Sequence, residues 1–100
     1  MKDHNYYVYL LTNLNRTVLY TGVTNDLSIR LLQHIEGNGK FAFTKRYKCH
    51  FLIYYEHFKY INQAIEREKE IKGWSRKKKE NLIATENVDW RFLNEDVIET

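Results

Sequence analysis

The sequence predicts a small α+β domain: a three-stranded, mainly antiparallel sheet flanked by helices, in the order β-β-α-β-α. Three observations predict it. Two runs rich in β-branched and aromatic residues, Tyr6 to Leu11 and Thr17 to Thr21, bracket an asparagine-containing turn. A third such run, Phe51 to Glu56, follows later. Two stretches with helical apolar spacing lie after the second and third runs. A chain of 100 residues suffices for one domain with a single modest core. That domain is expected over residues 1–93, with an acidic, fraying tail over residues 94–100.

The hairpin comes first. Tyr6-Tyr7-Val8-Tyr9-Leu10-Leu11 and Thr17-Val18-Leu19-Tyr20-Thr21 flank Asn13-Leu14-Asn15-Arg16, whose asparagines tolerate turn conformations. With those four residues as the loop, Thr12 faces Thr17 and Tyr9 faces Tyr20, so two phenols share one side of the sheet. Such a pair reads either as core filling or as one wall of a site. Gly22 to Asp26 then leaves the sheet, and Thr24 or Asn25 is placed to cap a helix from about Leu27 to Ile35 that stops at Gly37-Asn38-Gly39. Leu27, Leu31 and Ile35 form its expected buried stripe, and Arg30 and His34, four apart, share a face bordering it.

The stretch Lys40 to Lys48 interleaves four cations with three aromatics. It suits a loop that contacts phosphates and bases, with Lys45 and Arg46 as candidate contacts, and equally a loop anchored by its aromatics. Phe51 to Glu56 is apolar enough for a strand that is central or covered on both faces. The longest helical pattern runs from about Tyr60 to Lys79, with Ile61, Ala64, Ile65, Ile71 and Trp74 on its buried face and Gly73 as a kink or restart. Glu68 falls inside that stripe. A carboxylate there must be paired with a lysine or Arg30, protonated, or bound to a metal, because an unpaired buried charge costs several kcal/mol. Arg76, Lys77, Lys78 and Lys79 form a dense basic cluster, and Trp90, Phe92 or Leu93 is expected to pack back on the body.

Composition narrows the function classes. No run approaches a membrane-spanning length, and no apolar secretory segment opens the sequence. The lone Cys49 cannot form an internal disulfide, which fits a reducing, cytoplasmic setting. Residues 1–79 hold fifteen Lys and Arg against seven Asp and Glu, whereas residues 80–100 hold Arg91 against six acids. A basic body of this kind is the footprint expected of a protein that meets a polyanion, nucleic acid first. Gly-rich phosphate loops, Cys/His zinc spacings and the Gly-x-Ser-x-Gly elbow are absent from the sequence.

The polar groups that patterning points toward the core or its edge are Tyr9, Tyr20, Arg30, His34 and Glu68. They form a phosphodiesterase-type set: a carboxylate for one divalent cation, an arginine for charge on the phosphate, and a phenol or imidazole for the proton of the attacking water.

These residues, at these separations, resemble the GIY-YIG nuclease superfamily and especially its small stand-alone bacterial members. Tyr7-Val8-Tyr9 resembles the first half-motif and Tyr20-Thr21-Gly22 the second; Arg30 follows ten residues after Tyr20, His34 one turn later, and Glu68 lies in Ala64-Ile65-Glu66-Arg67-Glu68-Lys69. The segment Arg67 to Lys78 is similar to a signature of the stand-alone subgroup. Tyr7 stands where the first half-motif has glycine, Val23 where some relatives have lysine or serine, and Asn87 is the nearest match to a downstream family asparagine.

The resemblance implies that Glu68 binds one Mg²⁺ or Mn²⁺ and Arg30 contacts the scissile phosphate. It also implies that Tyr9, Tyr20 and His34 position or deprotonate the water. The function it implies is a metal-dependent endonuclease, structure-selective or weakly sequence-specific, with DNA as partner and a monomer or weak homodimer as the working form. The alternative is a nucleic-acid-binding module with little or no catalysis on the same scaffold.

Overall fold

A computed structural model describes residues 4–98; residues 1–3 of the expected domain and 99–100 of the expected tail lie outside the described residues. Strands β1 (Tyr6–Thr12), β2 (Leu19–Thr24) and β3 (Phe51–Phe58) form one antiparallel sheet in the order β2-β1-β3. The central strand is β1, not the third run. Val8, Tyr9, Leu10 and Leu11 are all fully buried because helices cover both faces, which is why this strand lacks apolar-polar alternation.

The apolar third run is an edge strand. Its edge reads as interior because the returning chain covers it: the Leu93 amide donates to the Leu52 carbonyl at 2.7 Å, the Leu52 amide to Asn94 Oδ1 at 2.8 Å, and Asn87 Nδ2 to the Ile53 carbonyl at 2.8 Å. Residues 94–97, expected to fray, form the short helix α5 (Asn94–Val97), with Leu93, Val97 and Ile98 packed on the core.

The hairpin register differs from the expected one by two residues: Tyr9 pairs with Gly22, Leu11 with Tyr20 and Thr12 with Leu19. The loop is longer because Asn13 organises it. Asn13 Oδ1 accepts from the amides of Thr17 and Val18 at 2.8 and 3.1 Å, and Thr12 Oγ1 donates to the Val18 carbonyl at 2.7 Å. A shift of two preserves facing in a period-2 strand, so Tyr9 and Tyr20 remain on one side with ring centroids 6.4 Å apart.

Helix α1 (Leu27–Glu36) is capped by Asp26, whose Oδ1 accepts from the Ile29 amide at 3.0 Å, rather than by Thr24 or Asn25. Thr24 Oγ1 instead accepts from the Asp26 amide at 3.1 Å. Gly37 ends the helix in the left-handed region (φ 73°), with its amide on the Gln33 carbonyl. The buried residues are Leu27, Leu31 and His34, while Ile35 is 42% exposed. Seven residues carry a helix to within about 20° of its starting direction, whereas eight overshoot by about 80°. His34, not Ile35, therefore completes the buried stripe.

Residues expected to form a basic loop instead make a 3-10 turn (Gly39–Phe41) and the one-turn helix α2 (Ala42–Arg46). The long helical stretch is two helices, α3 (Ile61–Lys72) and α4 (Arg76–Glu86), divided at Gly73, with Ser75 Oγ capping α4 by accepting from the Lys78 amide. Ala64 and Ile71 are buried on α3, whereas Ile61, expected on the buried face, is 48% exposed in the first turn.

One apolar cluster unites Val8 and Leu10 with Ala64, Ile71 and Ile83 of α3 and α4. The other unites Tyr9 and Leu11 with Leu27 and Leu31 of α1. Among the described residues no helix is long and apolar enough to cross a membrane.

Candidate active site

A cleft of about 290 Å³ opens at the β2 edge of the sheet, lined by Tyr9, Tyr20, Gly22, Val23, Arg30, Lys40, Phe41 and Glu68. Strand alternation directs Tyr9 and Tyr20 to this side, the α1 repeat brings Arg30, and α3 brings Glu68. Four of the five expected catalytic residues thus line one cleft. The fifth, His34, is fully buried behind Tyr9 and meets it through a 2.7 Å hydrogen bond between Tyr9 Oη and His34 Nε2. Gly22 is what lets the phenol lie there: a Cβ on Gly22 would fall inside van der Waals contact of Tyr9 Cζ and Oη and 2.9 Å from Cε1.

His34 is held on both sides. Its Nδ1 lies 2.8 Å from Thr44 Oγ1, and its ring packs edge-on against Phe41 and Tyr20, at centroid distances of 4.7 and 5.0 Å. Burial, followed by the positive groups Arg30, His50 and Lys40, lowers its pKa to about 4. At pH 7 the imidazole is therefore neutral. Burial is also the main cause that pushes the Tyr9 phenol above its ordinary range, with Tyr20 adding to the shift and Arg30 opposing it.

The His34 shift predicts an acid-sensitive fold. The unfolded chain takes up this proton near pH 6.5 and the folded chain only near 4, so the stabilisation is complete above 6.5 and is lost as pH falls toward 4. The loss reaches about 3 kcal/mol. Urea unfolding at pH 7 and pH 4.5 checks this: the difference should shrink in His34→Gln, and an unchanged difference would assign the acid sensitivity to other groups, His50 among them.

Arg30 is braced by a bond from Nη1 to the Val23 carbonyl at 3.1 Å and lies 5.5 Å from the Phe41 ring centroid, leaving further guanidinium donors for a phosphate. The salt bridge considered for Glu68 is present, since Lys72 Nζ lies 3.0 Å from Oε2. It does not seal the carboxylate. Lys72 is 53% exposed, and Glu68, its side chain 14% exposed, still lines the cleft. No group of three or more His, Cys, Asp or Glu side chains is placed to hold a metal among the described residues. A single carboxylate nevertheless suits Mg²⁺, which keeps several waters and takes its remaining ligands from substrate phosphate.

The residues singled out for phosphate contact divide. Lys45, Arg46 and Lys77 are exposed, and Lys79 is half-buried. Lys78 lies over the Trp74 ring at 4.5 Å. Arg76 is occupied by the hairpin loop: it donates to the Thr17 and Arg16 carbonyls at 2.8 and 3.0 Å and pairs with Glu80. Asn87 lies away from the cleft, bridging the Ile53 and Arg91 carbonyls.

Of the three aromatics after Gly39, Phe41 is an anchor, whereas Phe43 and Tyr47 are exposed and continue outward from Tyr20, at successive centroid distances of 6.2 and 4.7 Å. Lys40 and Thr44 escaped the sequence reading as site residues. The glycine turn before Lys40 could have flagged that cation, but nothing local marks Thr44.

A larger depression of about 770 Å³ runs along β3, yet its Glu56 and Asp96 are already ion-paired with Arg67 and Arg91. The cleft at Tyr9 is the better place for chemistry.

The fold and this constellation define a class. The model of the GIY-YIG catalytic domain matches residues 5–81, and the chain belongs to the GIY-YIG family. Its relatives include a UPF0213 protein of Bacillus pumilus, 36% identical over 95% of both chains, and one of Natronomonas pharaonis, 40% identical over 84% of this chain and 94% of the relative. The solution NMR structure of a UPF0213 protein from Bacillus halodurans superposes with a TM-score of 0.54 at 30% identity, covering 86% of this chain and 89% of that one.

Proposed function

We propose that this protein is a metal-dependent endonuclease that cleaves DNA phosphodiester bonds with structure selectivity or weak sequence specificity. The observation that carries the reading is the convergence of Tyr9, Tyr20, Arg30 and Glu68 on one open cleft, with His34 bonded behind Tyr9, in a chain whose family suggests a nuclease-type function. Arg30, and Lys40 beside it, bind the scissile phosphate and offset the charge that builds on it. Glu68 would hold Mg²⁺ or Mn²⁺, which supplies Lewis-acid stabilisation at the phosphoryl oxygens.

Tyr20, half-buried at the cleft wall, orients the attacking water. Its proton passes to the Tyr9 oxygen while the Tyr9 proton moves to His34 Nε2, which replaces a buried phenolate by a buried imidazolium whose cost the negative charge building on the phosphate offsets. The exposed faces of Phe43 and Tyr47 suit unpaired bases beside the cleft, which supports structure selectivity. The test is cleavage of nicked, branched and single-stranded DNA with and without Mg²⁺. Absence of cleavage on all three would overturn the reading.

The Lys72–Glu68 ion pair favours a second reading, a binding module with little turnover, because it occupies the carboxylate. In both readings Lys45, Arg46 and Lys77 grip the phosphate backbone. Neutralising all three is expected to weaken DNA binding and to lower the slope of log affinity against log salt by roughly one per lost contact. Arg76→Ala should instead lower the melting temperature, since its guanidinium closes the hairpin loop. Titrations at several salt concentrations together with melting curves separate the two effects.

A further inference from the structure

The buried hydrogen bonds around His34 have a direction. Thr44 Oγ1 donates its one hydrogen to the Phe41 carbonyl at 2.9 Å, so toward His34 it can only accept. The 2.8 Å contact with Nδ1 must then be Nδ1–H donating to Thr44, which leaves Nε2 of a neutral imidazole as the acceptor for the Tyr9 hydroxyl at 2.7 Å. The chain runs one way: Tyr9 O–H to His34 Nε2, His34 Nδ1–H to Thr44 Oγ1, Thr44 O–H to the Phe41 carbonyl. All three side chains are buried, at 0%, 0% and 1% exposure, so bulk water does not compete for these bonds.

We infer that Thr44 is a positioning residue that locks His34 in its Nδ1–H tautomer and so makes Nε2 the proton acceptor for Tyr9. Its catalytic consequence rests on the nuclease reading; the tautomer itself does not. The carbonyl that orients Thr44 belongs to the 3-10 turn, and Phe41 of that turn also packs on the imidazole and lines the cleft. A hydroxyl at position 44 thereby connects the turn to the direction of proton movement. The groups facing His34 are Tyr9 and Tyr20 from the sheet, Arg30 from its own helix, Lys40 and Thr44 from the following segment, and His50. Among the hydrogen bonds these groups make, only Thr44 meets Nδ1.

The experiment is long-range ¹H–¹⁵N correlation of the imidazole nitrogens at pH 7, with His34 assigned by its disappearance in His34→Asn, followed by cleavage rates. Wild type should show the Nδ1–H form, and Thr44→Ser should keep both the form and the rate. Thr44→Val, which keeps the shape but removes the acceptor, should move His34 toward the Nε2–H form. It should also slow cleavage about 10- to 100-fold and change its pH profile.

An Nε2–H tautomer in the wild type would overturn the inference without recourse to any variant. So would Thr44→Val retaining both the Nδ1–H form and the wild-type rate. A wild type with the Nδ1–H form that cleaves no polynucleotide would overturn the nuclease reading and leave the tautomer lock standing.

Discussion

Replacing Glu68 with alanine is expected to reduce metal-dependent cleavage by about 10³-fold or more while leaving the fold and DNA binding in place. Glu68 is the one carboxylate among the residues lining the cleft; the others are phenols, cations and apolar groups. Without it, nothing in that set can hold a divalent ion. The stability cost should be small. The Glu68 side chain is only 14% exposed, but its removal leaves no buried charge unpaired, because Lys72 is 53% exposed and can be hydrated in its place. Alanine is also a better helix former than glutamate at this interior position of α3. Initial rates over a Mg²⁺ titration, with melting curves and salt-dependent binding on the same samples, check the expectation. Cleavage by Glu68→Ala at the wild-type rate would remove the proposed mechanism, and an inactive wild type whose DNA binding is unaltered by Glu68→Ala would favour the binding module.

Gly22→Ala should damage stability and activity together. Its Cβ would occupy the space of the Tyr9 ring, which is fully buried and bonded to His34, so the ring cannot move aside without leaving its partner. Overpacking of this kind costs about 1–3 kcal/mol, which for a domain of this size lowers the melting temperature by roughly 4–8 °C per kcal/mol. Displacement of Tyr9 should add at least a 10²-fold loss of cleavage through misplaced groups. A variant that melts with the wild type and cleaves at its rate would show that the close approach of Tyr9 to Gly22 does not matter.

Much of this site could be read from the sequence because its residues lie on regular elements. Alternation places Tyr9 and Tyr20 on one face despite a two-residue error in register, since the loop absorbs an even number of residues. The helical repeat places Arg30 beside the core, and the apolar stripe around Ala64 and Ile71 marks Glu68 as a carboxylate that needs a partner. These are consequences of short-range geometry, with periods of 2 and 3.6, and they survive errors in the boundaries.

Other features depended on contacts between segments distant in sequence. The third run is an edge strand whose apolar character is explained by Asn87, Leu93 and Asn94 closing its outer side from more than thirty residues away. Arg76, one cation of a basic cluster, is diverted to carbonyls in the hairpin loop some sixty residues earlier. Thr44 joins His34 only because a 3-10 turn folds the chain back over α1.

The α+β class follows from the order of the elements, the facing of the two tyrosines from the parity of the hairpin pairing, and the placement of Arg30, His34 and Glu68 toward the core from helical periodicity, whereas their grouping as one site rests on the family resemblance. Which phenol is buried, which groups meet the two nitrogens of His34 and which cations remain exposed follow from contacts between segments distant in sequence. Those outcomes depend on desolvation and on partners that packing alone brings within hydrogen-bonding distance.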